Sequence, residues 1–100
     1  MTHVRVWKFR PPSGREGEFA LAYGADGVWA ALFGKAKNYL GTTLYRPDHN
    51  GGWWLTVDRW SSAADFETFG HDFGEEYRTL DVELEGVAGE EEFVGGFEEE

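Results

Sequence analysis

The stretch WWLTVDRW, from Trp53 to Trp60, has the composition of a β-strand with large side chains on both faces. Side chains alternate along a strand, so the even-numbered residues share one face and the odd-numbered residues share the other. A strand that is apolar on both sides needs cover on both sides, whereas a wetted sheet face shows polar alternation. We therefore expect helices on one face and a second subunit on the other. We assign Leu55 and Val57 to the face that packs against the helices. We assign Trp54, Asp58 and Trp60 to the dimer interface.

Three further stretches have strand character. HVRVWKFR (residues 3–10) alternates and is followed by Pro11 and Pro12, which cannot donate to a ladder. NYLGTTLYR (38–46) is joined to the tryptophan-rich strand by PDHNGG (47–52), a loop sequence typical of a hairpin. EEFVGGF (91–97) is a weaker fourth strand, and its two glycines indicate a bulge.

Helices are predicted between these strands. Ser13 with Glu16 three residues later forms a capping pattern, and the helix that follows is interrupted by GADG (24–27) before a second short helix, VWAALF (28–33). Ser62 with Asp65 repeats the capping pattern. The helix after it is predicted to run to about Leu84, with a kink near Gly74. Its apolar side chains recur at spacings of three and four and so form one stripe: Phe66, Phe69, Phe73, Tyr77, Leu80 and Leu84.

The predicted order of elements is β-α-β-β-α-β. This order is typical of the α+β class and of the ferredoxin-like arrangement, in which a four-stranded antiparallel sheet carries both helices on one face. One hundred residues suffice for one modest core. We therefore expect a single domain over residues 1–97 and an acidic C-terminal end at 98–100.

Composition restricts the classes of function. Residues 1–80 carry ten acidic and nine basic side chains, whereas residues 81–100 carry nine acidic side chains and no basic one. This acidity repels phosphates and anionic lipids, so nucleic acids and membranes are not expected partners. Cysteine is absent, and no two of the three histidines have metal-ligand spacing, so no metal or cofactor is expected. With no signal-peptide pattern at the start, we expect a cytoplasmic protein.

The whole chain resembles one known family. The stretches VWKFRPPSGREGEF, YLGTTLYR and WLTVDRW, with the closing GGF, are similar to those of the antibiotic biosynthesis monooxygenase (ABM) superfamily. That resemblance implies a dimeric α+β barrel, in which two sheets face each other and each subunit has a ligand cleft between sheet and helices. It also implies a possible monooxygenase that needs no cofactor and acts on an aromatic or phenolic small molecule.

Aromatic side chains are the candidates for lining such a cleft, and as substrate-binding residues we select Trp7, Phe9, Trp29, Phe33, Phe69 and Phe73. An oxygenase of this kind needs a base and a donor for a developing oxyanion. The polar candidates for catalysis are Tyr77, Tyr23 and Arg59. A dimer that binds a flat molecule without catalysis is the alternative function.

The sequence argues against two other functions. Haem degradation is disfavoured, because the positions expected for its polar residues fall on Trp7 and near Phe69, and because His71 lies off the apolar stripe. An RNA-recognition domain has the same element order, but this chain lacks the basic, glycine- and aromatic-containing strand motif of such domains.

Asp58 on a buried strand face must either pair with Arg5, Lys8 or Arg46, or have a raised pKa.

Overall fold

A computed structural model describes residues 1–100, which form four strands and four helices. The strands are β1 (His3–Arg10), β2 (Tyr39–Tyr45), β3 (Trp54–Trp60) and β4 (Glu90–Glu98). The helices are α1 (Glu16–Tyr23), α2 (Val28–Phe33), α3 (Ala63–Asp72) and α4 (Gly74–Ala88). None of the helices combines the length and the apolar composition that crossing a membrane requires.

The strands form one antiparallel sheet in the order β2-β3-β1-β4, with the helices on one face. This is the predicted ferredoxin-like arrangement of the α+β class. Two helices follow β1, as predicted, and two helices follow β3 in place of the single one predicted there. The predicted bulge is present in β4, where Val6 pairs with Gly95 but Trp7 pairs with Phe93, leaving Val94 as the extra residue.

The structure reverses the predicted orientation of β3. Trp60 is fully buried against rings of the helices, with ring centroids 5.8 Å from Phe33 and 5.3 Å from Phe69. Trp54 packs at 5.3 Å from Phe19 on α1. The assignment of Trp54, Asp58 and Trp60 to a dimer interface was therefore wrong, because all three are buried under helices of their own chain.

The opposite face of β3 is the open one. Leu55 is exposed, and Val57 and Arg59 are half-buried. Both faces of the strand carry apolar groups, so alternation alone could not fix the direction. The larger rings lie on the side where the helical phenylalanines bury them. We call the open side the outer sheet face; its residues include Val4, Val6, Lys8, Thr43, Tyr45, Leu55, Val57, Arg59 and Phe97.

Serine caps were predicted at the N-termini of two helices, and the structure contains one of them. The Ser62 hydroxyl oxygen accepts a 3.2 Å hydrogen bond from the backbone N–H of Asp65, so the predicted cap of α3 is confirmed. The predicted Ser13 cap is wrong: α1 begins at Glu16, whose carboxylate accepts a 2.7 Å bond from the N–H of Gly14.

The predicted long second helix consists of two helices. The chain leaves helical geometry at Phe73, with φ −123° and ψ 21°, and α4 begins at Gly74. Phe73 still stacks on Phe69, with centroids 5.6 Å apart. The apolar stripe is therefore continuous across the break, and α4 contributes Tyr77 and Asp81 to the wall of a cavity.

The two chain ends meet at the edge of the sheet. His3 Nδ1 lies 3.1 Å from the Glu98 carboxylate, and the N–H of Glu99 donates to the carbonyl of Thr2 at 2.8 Å. Strand β4 thus includes Glu98, one residue past the predicted domain boundary.

Candidate functional site

A cavity of about 80 Å³ lies between the sheet and the helices. It has six aromatic residues, two threonines and three carboxylates in its wall. These are Trp7, Phe9, Tyr23, Trp29, Phe33, Tyr77, Thr42, Thr56, Asp58, Asp81 and Glu91. The volume is below the roughly 300 to 1,000 Å³ of sites for drug-sized ligands, so a larger molecule would extend through the opening.

Regular structure positions the polar groups of the cavity. Thr56 and Asp58 are two residues apart on β3 and so point to the same face. Thr42 on β2 is the register partner of Asp58. Tyr77 and Asp81 are four residues apart on α4 and lie one above the other on its inner side.

The aromatic part of the wall is a set of mutually packed rings. Tyr23 lies 4.9 Å from Phe9 and 6.1 Å from Trp29, and Trp29 lies 5.0 Å from Tyr77, measured between centroids. Contacts of this kind hold the rings in tilted arrangements that leave ring faces and edges available to a flat ligand.

Asp58 is the buried carboxylate of this wall, with 9% of its surface exposed. Burial raises its pKa to about 6, while the hydroxyl of Thr42, which donates a 2.6 Å hydrogen bond, and the charge of Arg5 partly oppose that shift. The predicted ion pair is not formed. The Arg5 guanidinium instead lies over the rings of Phe66 and Phe93, at 3.9 and 4.5 Å. A carboxylate with a pKa near neutrality is suited to general-base chemistry.

The two tyrosines of the cavity remain protonated at neutral pH. Burial raises the pKa of Tyr23 to about 12 and also raises the pKa of Tyr77, to which the charges of Asp81 and Glu91 add. Phenols of this kind act as hydrogen-bond donors and not as bases.

Trp29 contributes an unused donor to the wall. Its side chain is buried, with 7% of its surface exposed, and its indole N–H has no hydrogen-bond partner. The Tyr23 hydroxyl is near enough for this N–H to oppose the rise in the Tyr23 pKa, but it makes no hydrogen bond of normal geometry. Leaving a buried donor unpaired costs about 1 to 3 kcal/mol.

The mouth of the cavity is acidic. Asp81 on α4 and Glu91 on β4 line the cavity and are themselves exposed, so the opening lies between these two elements. Partial burial raises the pKa of Glu91, and the neighbouring charges of Asp81 and Glu85 raise it further. The carboxylates at the mouth therefore repel one another.

The structure brings together six of the predicted site residues: Tyr23, Tyr77, Trp7, Phe9, Trp29 and Phe33 all line the cavity. Three others lie elsewhere. Arg59 is on the outer sheet face, where it donates to the Thr43 hydroxyl at 3.1 Å, because the orientation of β3 is reversed. Phe69 and Phe73 pack beside the cavity as core, and Phe69 is only 1% exposed.

Sequence reasoning missed four polar residues of the wall, Thr42, Thr56, Asp81 and Glu91, and it assigned Asp58 to the dimer interface instead of the cavity. One signal was present, since Asp81 follows Tyr77 by four residues on the predicted helix. His71, predicted to face solvent, is exposed and contacts only Asp72 among acidic groups, at 3.0 Å.

Comparison with solved structures identifies the fold. SnoaB, a cofactor-independent oxygenase from Streptomyces nogalater, superposes in a variant form with a TM-score of 0.74 at 17% identity, over 98% of this chain and 92% of that chain. The chain has the ABM fold. A Bordetella bronchiseptica protein assigned as an antibiotic biosynthesis monooxygenase shares this ABM fold with a TM-score of 0.68 and 20% identity, over 98% of this chain and 96% of that chain.

A third structure of the ABM fold contains a ligand. The monooxygenase ActVA-Orf6 of Streptomyces coelicolor, in complex with nanaomycin D, has a TM-score of 0.66 and 20% identity, with 98% of this chain and 87% of that chain covered. No protein-family model matches the chain, and no curated protein matches it. At these identities the ABM fold is what the comparisons establish.

Proposed function

We propose that this protein is a cofactor-independent monooxygenase that acts on a phenolic aromatic small molecule. The observation that carries the proposal is the buried carboxylate of Asp58, with its pKa raised to about 6, in the wall of an aromatic cavity. The solved ABM-fold structures include a cofactor-independent oxygenase and a monooxygenase with a bound small molecule, which supports the same chemistry here.

The reaction needs no external reductant. A phenolate transfers an electron to O₂, and recombination of the resulting pair forms a carbon–oxygen bond at a ring carbon. Loss of water then leaves a quinone, so that a naphthol and O₂ give a naphthoquinone and H₂O. The substrate loses four electrons and O₂ accepts all four, with one oxygen atom retained in the product and the other released as water.

Asp58 is the proposed base, although its carboxylate is less basic than the phenolate that it must produce. A phenol has a pKa of about 10, so transfer of its proton to a carboxylate of pKa about 6 costs on the order of 5 kcal/mol. Donors directed at the phenolate oxygen reduce this cost. The proposed donors are the protonated hydroxyl of Tyr77 and the N–H of Trp29, which is buried and unpaired in the free protein.

We further propose that the protein is a homodimer joined through the outer sheet face. Tyr45, Leu55 and Phe97 are large, exposed and all on this face of the sheet. Several exposed apolar side chains on one sheet face are typical of an interaction site. Pairing of two such faces would build the α+β barrel that the resemblance implies.

Oxygen consumption tests the proposed activity. Wild-type protein is incubated with 1-naphthol or an anthrone in air-saturated buffer, and O₂ uptake and quinone absorbance are recorded together. We expect both signals, with kcat/KM rising through about pH 6 as Asp58 ionises. Asp58→Asn should lose most of the activity, and Tyr77→Phe a smaller part. Asp48→Asn, which changes an exposed carboxylate, is the matched control.

Binding of the same compounds without O₂ uptake, across a range of substrates, would reject the oxygenase and favour the second candidate, a dimer that binds a flat molecule without catalysis. The observation favouring this candidate is the packed aromatic wall, which accepts a ring whether or not Asp58 reacts.

A further inference from the structure

The charge of the cavity wall restricts what it can bind. Three carboxylates line it, from Asp58, Asp81 and Glu91, and no lysine, arginine or histidine does. The nearest cation acting on Asp58 is Arg5, whose guanidinium is held between the rings of Phe66 and Phe93 outside the lining. A ligand that brings a negative charge would meet uncompensated carboxylates.

The rings of the wall add to this preference. Trp7, Trp29 and Tyr77 line the cavity together with the carboxylates. Faces of tryptophan and tyrosine attract cations through their quadrupoles, most strongly when water is excluded. An aromatic wall joined to acidic side chains is the arrangement that recognises ammonium groups.

The buried carboxylate of Asp58 indicates the second half of the ligand. Asp58 lies in the cavity wall, and Arg5 packs on the rings of Phe66 and Phe93. A phenolic hydroxyl would donate its proton to this carboxylate. The buried end of the cavity thus suits a hydroxyl group, and the open end at Asp81 and Glu91 suits a cation.

We propose that the cavity takes a phenolic molecule that carries an amine cation, with the hydroxyl at the buried end and the ammonium at the acidic mouth. This inference builds on the proposed function, since it specifies the substrate class of the same site. A cation between Asp81 and Glu91 would also relieve the repulsion between them.

Matched ligands test this selectivity. Three hydroxynaphthalenes are compared that carry an aminomethyl, a hydroxymethyl or a carboxylate substituent at the same ring position. Their Kd values are measured under nitrogen by quenching of tryptophan fluorescence, so that no turnover occurs. We expect the aminomethyl compound to bind roughly tenfold more tightly than the hydroxymethyl compound, and the carboxylate to bind more weakly than either.

The double variant Asp81→Asn/Glu91→Gln should remove this order while leaving the Kd of the hydroxymethyl compound within about twofold. Glu75→Gln/Glu76→Gln is the matched control, since it removes two charges from α4 that do not line the cavity. The control should keep the order of the wild type. Equal Kd values for the three compounds in the wild type, or an order that survives the loss of both mouth charges, would overturn the proposal.

A second measurement does not depend on the folding of the variant. In wild-type protein the advantage of the aminomethyl compound should shrink as salt is raised, because exposed charges are screened. A salt-independent advantage would also overturn the proposal. Oxygen uptake is recorded separately with the same three compounds. Selective binding without O₂ uptake rejects only the oxygenase, and O₂ uptake without selectivity rejects only the amine preference.

Discussion

The hydroxyl of Thr42 on β2 donates a 2.6 Å hydrogen bond to the carboxylate of Asp58 on β3. Tyr39 is hydrogen-bonded to the same threonine, so a chain of two hydroxyls leads to the buried acid. Hydrogen bonds to the ionised form favour it, and this bond opposes the effect of burial on the Asp58 pKa. The bond therefore lowers the proton affinity of the proposed base, which burial raises.

Replacement of Thr42 by valine should raise the pKa of Asp58 above its value of about 6. The variant keeps the side-chain shape but removes the donor, so the buried carboxylate loses its stabilising bond. Titration of the Asp58 carboxyl carbon by NMR measures the change. Thr43→Val is the control, because Thr43 accepts from Arg59 on the outer sheet face. An unchanged Asp58 pKa in Thr42→Val would contradict the assigned role of the bond.

Asp58 should make the protein less stable as pH rises from about 4 to 6. Its pKa is 3.8 in the reference state and about 6 when folded, so in this window the folded protein holds a proton that the unfolded chain has released. The free energy of unfolding therefore falls with rising pH, by about 3 kcal/mol in total from this group. The destabilisation by Asp58 is absent below about pH 4 and complete above about pH 6.

Asp58→Asn should lack that decline, and so be more stable than wild type at pH 7.5 but not at pH 4. Urea denaturation at both pH values measures the difference. Asp48→Asn, at a fully exposed position, should follow the wild type. If Asp58→Asn and wild type change in parallel with pH, the carboxylate is not the buried, proton-binding group described here.

Trp29→Phe should lower kcat/KM for a phenolic substrate by roughly 100-fold, since loss of one oxyanion donor commonly costs this much. It should also lower the free energy of unfolding, because the smaller ring leaves a void beside Tyr23 and Tyr77. Trp60→Phe is the matched variant. It also removes a buried, unpaired indole N–H, but from the core under α3. We expect it to lower the free energy of unfolding and to leave the activity per folded molecule unchanged. Urea denaturation and activity assays of both variants measure these two effects.

Leu55→Glu should weaken the proposed dimer, because it places a charge on the outer sheet face beside Tyr45. Sedimentation velocity at micromolar concentration distinguishes one chain of 11.3 kDa from two. Leu21→Glu on α1 is the control, since Leu21 is more exposed than Leu55 but lies on a helix. A wild-type protein that sediments as a monomer would refute the proposed interface.

Gly89→Ala should lower the free energy of unfolding by roughly 2 to 4 kcal/mol. Gly89 joins α4 to β4 with φ of +66°, and an added Cβ would lie 2.2 Å from the carbonyl oxygen of Arg10. Gly70→Ala in α3 is the opposite case. It meets nothing within 4 Å and should stabilise the helix by about 1 kcal/mol. Urea denaturation of both variants at pH 7.5 tests the pair.

The strands and the Ser62 cap were predictable because their signals are local. Alternation in residues 3–10 and the capping pattern at Ser62 and Asp65 depend on neighbours in sequence. The break at Phe73 was harder to place, since the apolar stripe continues across it and only the backbone changes. Ser13 failed as a cap because α1 begins only at Glu16, and the N–H of Arg15 donates to the carbonyl of Pro12.

The cavity was predictable in its rings but not in its acids. Trp29 and Tyr77 were identified because large rings must be buried somewhere in a small domain. Glu91 joins them only because β4 pairs with β1 in a register that sets it opposite Phe9. Contacts between residues so distant in sequence leave no periodic signal.

The sequence alone determined which side chains of β3 lie together, because a strand has a period of two whatever surrounds it. Only the tertiary structure decided which of the two groups meets the helices, because both contain apolar residues and the choice depends on the rings that each face contacts. That choice places Asp58 in a cavity of its own chain, where burial raises its pKa, and leaves Arg59 on the outer sheet face.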